Sequence, residues 1–188
     1  MKKIGFILII AFAIMSFNGC IGDVDFDQAR DLAINTPIEA SVIYIDEPAS
    51  TFLDDDGIEL VTVRDSVYVE IFSDDYMVDN LTKAEFLFEA TNTINRAYQA
   101  DIEFYDDAFN LQHTFSFSVG ASPDNQEVVV EYTEIFEGLE LEALKNTTNL
   151  VLNLTLQPSD DGTQLTETTP GNLKLRSKAL LYIDVISP

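Results

Sequence analysis

What most constrains this chain is a two-residue rhythm. Leu150, Leu152, Leu154 and Leu156 fall on one side of an extended segment, with Val151, Asn153 and Thr155 on the other. Leu111, His113, Phe115, Phe117 and Val119 alternate with Gln112, Thr114, Ser116 and Ser118. Near the C-terminus Leu173, Leu175, Ala179, Leu181, Ile183 and Val185 oppose Lys174, Arg176, Lys178 and Asp184. Successive side chains of a strand point to opposite faces, so this pattern predicts half-buried strands. Weaker alternation at 38–45, 66–72, 81–90, 97–105 and 127–133 brings the total to about eight strands.

One segment, 134–146, breaks the rhythm. Ile135, Phe136, Leu139, Ala143 and Leu144 recur at helical spacing. Thr133 would cap the start, Glu134 and Glu137 suit the positive end, and Lys145 suits the negative end. This predicts one short helix crossing between two strands. Strands with one apolar face each, joined by short polar turns, pack as two antiparallel sheets. The expected fold is therefore mainly β: an antiparallel β-sandwich, immunoglobulin-like or jelly-roll-like, with a small barrel as the alternative. An outer-membrane barrel does not fit, because the aromatics form no girdles and the outward faces are charged.

Charge narrows the partners. The chain of 188 residues carries 33 acids and 10 bases, a net −23. Nucleic acid is excluded as a partner, since phosphate contacts need clustered Lys and Arg. The bases here are scattered apart from Lys174, Arg176 and Lys178 on one strand. The same charge repels anionic headgroups, so the folded part should stand off from a bilayer. A hydrophobic share of 46% is nonetheless enough for a packed core.

The N-terminus reads as a targeting segment. Lys2 and Lys3 precede an apolar run over 4–17, too short for a spanning helix but suited to a secretory signal. Ser16, Phe17, Asn18, Gly19 and Cys20 then resemble a lipobox, where a lipoprotein signal peptidase cuts before a lipidated cysteine. Cys20 is the single cysteine of the chain, so no intrachain disulfide is possible. Gly22, Asp23, Asp25 and Asp27 continue as an acidic tether, similar to surface lipoproteins of the bacteroidete type. The resemblance implies a lipid anchor on Cys20 and a place at the outer membrane, on its periplasmic or cell-surface side. Ile21, standing where inner-membrane retention signals carry Asp, points the same way. The expected organisation is a signal peptide at 1–19, a lipidated tether at 20–36 and one β-sandwich domain at 37–188.

Acid pairs mark the turns: Asp54, Asp55 and Asp56 before Gly57, Asp74 and Asp75, Asp106 and Asp107, and Asp160 and Asp161 before Gly162. If each connection reverses the chain, 46–65 and 158–171 share one end of the sandwich and 74–80 and 106–110 share the other. The first strand starts beside the tether, so the first of these ends would be distal to the membrane. Loops on a rigid scaffold gather binding residues. Asp54, Asp55, Asp56, Asp160 and Asp161 are thus candidate ligands for a hard cation such as calcium, which takes six to eight oxygens. The competing explanation is turn chemistry, for which Asp and Gly are favoured locally.

Catalysis finds little support. His113, the single histidine, falls on an apolar face beside Phe115 and Phe117, where a satisfied structural histidine is expected. No nucleophile elbow, Walker or dinucleotide glycine pattern occurs. Paired carboxylates are the one hydrolytic alternative. Asp65, Ser66 and Val67 resemble the O-glycosylation acceptor of bacteroidete exported proteins, with Ser66 as the acceptor. The sequence thus reads as a non-catalytic, membrane-anchored interaction or envelope module that needs no cofactor. Its partner would be an envelope protein or a glycan. The alternatives are a calcium-assisted glycan- or ligand-binding module and a carboxylate-dependent hydrolase.

Overall fold

A computed structural model describes residues 37–159 and 162–184, all within one compact unit. Its eight strands are β1 (Ile38–Pro48), β2 (Thr62–Tyr68), β3 (Leu81–Asn92), β4 (Tyr98–Tyr105), β5 (Leu111–Val119), β6 (Val128–Phe136), β7 (Asn149–Leu156) and β8 (Asn172–Ile183). They form two four-stranded sheets with the orders β1-β8-β3-β6 and β2-β7-β4-β5, and every pairing is antiparallel. Within the sheets β1 pairs with β8, β2 with β7, β3 with β6 and β4 with β5, as four nested hairpins rolled into a sandwich. This is jelly-roll order, which decides between the two expected sandwich types.

The alternation explains the layers. In β3, Ala84, Phe86, Phe88 and Ala90 are buried between the sheets, and in β8 so are Leu173, Leu175, Ala179 and Leu181. The second sheet answers with Ala100, Ile102 and Phe104 of β4 and Leu150, Leu152, Leu154 and Leu156 of β7. Phe86, Phe104 and Phe136 meet edge-on or tilted at centroid distances of 5.2–5.9 Å, the geometry that aromatic rings prefer.

The expected ends are also found. The connections 49–61, 93–97, 120–127 and 157–171 meet at one pole. There Ala49 N–H donates to Gly171 O (3.2 Å), Ser122 N–H to Ile94 O (2.9 Å) and Gln157 N–H to Ala97 O (2.9 Å). At the other pole Val69 N–H donates to Thr148 O (2.8 Å) and Thr148 N–H to Tyr105 O (2.9 Å).

Three local expectations need correction. The helix of 134–146 is only seven residues long, α2 (Leu139–Lys145). Residues 134–136 instead finish β6, because Phe136 alternates into the core and is fully buried. Thr133 pairs with Leu87 as a strand residue and caps nothing. Gly138, at φ 57°, makes the break. A second helix, α1 (Asp75–Asn80), occupies what reads as a turn, with Asp74 accepting the Met77 N–H at 3.0 Å as its N-cap. Finally, β2 starts earlier than 66 and ends at Tyr68, and Phe72 is buried from a 3-10 turn, Glu70–Ser73.

Candidate functional site: a charged groove on one sheet face

The outer face of the β1-β8-β3-β6 sheet carries Lys83, Lys174, Arg176 and Lys178, four of the seven bases among the described residues. Register lines its side chains up in rows across the strands. Tyr44, Arg176, Glu89 and Glu131 form one row, and Ser41, Lys178, Leu87 and Thr133 form the next. Asp46, Lys174, Thr91 and Val129 form a third.

Ion pairs run along and between the rows. Arg176 meets Glu89 at 2.5 Å, Lys174 meets Asp46 at 3.5 Å and Lys178 meets Glu39 at 3.7 Å. Lys83 bridges Glu85 (2.9 Å) and Glu137 (3.1 Å). The Glu89 carboxylate holds the Arg176 guanidinium above its ordinary pKa, and Glu85 and Glu137 do the same for Lys83. Exposed pairs of this kind add little stability.

A bulge shapes the face. β1 has two residues between Ser41 and Tyr44 where β8 has only Ser177 between Lys178 and Arg176. The Ile43 N–H is then satisfied by the buried Ser177 hydroxyl at 3.0 Å. Bulges bend a strand and re-aim its side chains. Tyr44 stands out at the rim, 73% exposed. The result is a groove of about 750 Å³. Leu87 lies in it beside Lys178 in the second row, next to the row of Arg176, Glu89 and Glu131. Such a groove can hold an extended ligand by its rim aromatic, its apolar centre and its carboxylates.

The residues singled out by sequence lie elsewhere. Asp54 Oδ1 accepts the N–H groups of Asp56 (2.9 Å) and Ile58 (2.8 Å), so it caps its own turn, and Asp55 and Asp56 are exposed. Cys20, Asp160 and Asp161 lie outside the described residues. No group of three or more His, Cys, Asp or Glu among the described residues could hold a metal ion. Ser66 is exposed on the edge strand β2, its N–H held by Asp65 Oδ1 at 2.7 Å. Among the described residues no helix is long and apolar enough to cross a membrane.

His113 belongs to a seam between the sheets. Its Nε2 lies 2.6 Å from Glu134 Oε1, and Tyr132 donates its hydroxyl to Glu134 Oε2 at 2.7 Å. The imidazole sits edge-on to Phe136 at 4.9 Å, and Tyr132 stacks on Phe115 and Phe117. Burial and the Glu134 carboxylate together push the Tyr132 hydroxyl up to about 12. These contacts link β5 to β6 across the edge of the sandwich.

The sequence pattern conceals the groove for a definite reason. Alternation already places Lys174, Arg176 and Lys178 on the outward face. What it cannot supply is the neighbours, because Glu39 and Glu89 lie on strands far away in the chain.

No family model matches the chain, and no curated protein does either. Among solved structures it is similar to the infectious bursal disease virus Gx strain protein. There the TM-score is 0.48 and the identity 11%, over 78% of this chain and 32% of that one. It is also similar to a secreted-protein candidate from Parabacteroides distasonis, at TM-score 0.42 and 18% identity over 62% and 36%. A third similar structure is the enzymatically active domain of a Bacteriophage CBA120 tailspike, at TM-score 0.38 and 10% identity over 78% and 19%. The chain spans about a third or less of the length of each, and these likenesses add nothing to the strand order already described.

Proposed function

We propose that this chain is a lipid-anchored, non-catalytic interaction or envelope module, tethered through Cys20 at the outer membrane, and that the groove on the β1-β8-β3-β6 sheet is its binding face. The observation that carries the reading is the groove. Its volume, about 750 Å³, falls within the range of about 300–1,000 Å³ typical of ligand sites. It combines an exposed aromatic, an apolar residue and fixed charges. The binding face thereby moves from the acidic loops expected from sequence to a sheet face. The non-catalytic part is supported by His113, whose nearest polar partner is Glu134 in the seam rather than a group in the groove.

Hydrogen exchange of the mature chain against a panel of envelope glycans and peptides tests the binding face. Protection should gather on the outer residues of β1, β8, β3 and β6. Protection at Asp54, Asp55 and Asp56 that needs calcium would replace this reading with the loop site. The anchor is tested separately by detergent phase partitioning. Wild type should enter the detergent phase and Cys20→Ala the aqueous phase, and equal partitioning of the two would remove the anchor. Intact mass of the native protein reports whether Ser66 carries a glycan.

A further inference from the structure

The groove is uneven in charge, and this points to the class of its ligand. Glu39, Glu89 and Glu131 face it against Arg176 and Lys178. Both cations already have carboxylate partners, Arg176 with Glu89 at 2.5 Å and Lys178 with Glu39 at 3.7 Å. An anionic ligand would have to pull them away while approaching a chain of net charge −23. Glu131 is different. It lies directly opposite Glu89 in register, and among the described residues it has no ion-pair partner. Like charges directly opposite in a sheet repel, so the row is left one cation short.

At the other end of the same row stands Tyr44, highly exposed, with no cation over its ring in the described structure. Three inter-strand spacings separate Tyr44 from Glu131, roughly 14 Å at about 4.8 Å each. An extended peptide rises about 3.3 Å per residue, so it covers that distance in about four residues. The bulge keeps Tyr44 at the rim and leaves Leu87 beside the path between the two points.

Resting on the proposed binding face, we infer that the groove takes an extended basic peptide segment with two Lys or Arg residues four positions apart. One base docks on Glu131 and the other lies over the Tyr44 ring, a cation–π contact. The apolar stem of the first base packs towards Leu87 while its charged head reaches the carboxylate.

The test is fluorescence anisotropy with the mature chain and three labelled probes. These are a nine-residue peptide carrying Lys at positions 3 and 7 with neutral spacers, the same peptide with Glu for Lys, and a neutral chitotetraose. The lysine peptide should bind, and it should bind more weakly as salt rises. Glu131→Gln and Tyr44→Ala should each weaken it about tenfold, whereas Asp107→Asn, an equal charge change at an exposed turn of the opposite pole, should leave it within about twofold. Equal losses in Glu131→Gln and Asp107→Asn would reduce the effect to the overall field and overturn the inference. Chitotetraose binding that depends on Tyr44 would also overturn it, while keeping the groove as the binding face. Binding of any probe that neither Tyr44 nor Glu131 affects would remove the groove itself.

Discussion

The loop pole and the groove both carry many polar side chains, yet they use them in opposite ways. At the pole the polar groups are turned inward and tie loops together. Arg96 is 5% exposed and reaches two other loops at once: Gln157 O at 3.3 Å and Thr163 O at 2.8 Å in one, and the Glu59 carboxylate in the other. Asn92 donates to Arg96 O (2.8 Å) and Gly120 O (2.7 Å) while accepting from Ile94 N–H (2.9 Å). In the groove the charges pair at the surface with solvent beside them. Hydrogen bonds satisfied inside a protein specify its shape, whereas surface pairs contribute little to stability and stay open to exchange. The brace of the pole is thus built by Arg96, Glu59 and Asn92, while Asp54, Asp55 and Asp56 stay at its surface.

Substitutions at four positions can break or sharpen this contrast. Gly171→Ala should be the most damaging. Its φ is +103°, and an added Cβ would lie 2.4 Å from Thr93 O, so a loss of about 4 kcal/mol is expected in chemical denaturation. A loss below about 1 kcal/mol would mean that the pole yields easily and is no brace. Arg96→Ala should follow at roughly 3 kcal/mol, because it strips a buried cation from its partners and leaves Glu59 half-buried without one. Arg96→Lys should not rescue it, since a single ammonium cannot reach the same three acceptors in their fixed directions.

Asp54→Ala should cost about 1 kcal/mol by removing the acceptor for two turn N–H groups. Its melting temperature should be the same with and without calcium. A rise of several degrees in the wild type on adding calcium would return the pole to candidacy as a site. Arg176→Ala comes last, with no measurable change in melting temperature. If it unfolds the protein, the groove pairs are structural after all and the contrast fails.

Legibility in the sequence tracks distance along the chain. Leu150, Leu152, Leu154 and Leu156 announce a core strand because the pattern is local and uninterrupted. Phe136 was harder, since Ile135, Phe136 and Leu139 fit a helix start as well as a strand end, and short apolar runs do not separate the two. The turns at Asp54 and Asp106 were readable as turns: Asp106 accepts the Asn110 side-chain amide and, through Oδ1, the Asn110 and Ala108 N–H groups, contacts that lower its pKa. The grouping of Asp54, Asp55 and Asp56 with Asp160 and Asp161 suggested a cation site, and at Asp54 local turn bonding accounts for the carboxylate. Of the groove face, only the outward placement of Lys174, Arg176 and Lys178 was readable. Arg176 meets Glu89, and Glu89 faces Glu131, only through pairings between strands far apart in sequence.

One feature of the strand order bears on how the chain is made. β8 lies between β1 and β3, yet of the eight described strands it is synthesised last. Until its 12 residues arrive, β1 has no partner at all and β3 has only β6. The link from Ile43 N–H to the Ser177 hydroxyl spans 134 positions. Pairings this remote form late and slowly, because the intervening chain must be closed first. The unfinished polypeptide is thus kept from locking its first sheet until β8 arrives. By the same logic the C-terminal strand acts as a keystone, and its loss would take away the middle of a sheet rather than trim its edge.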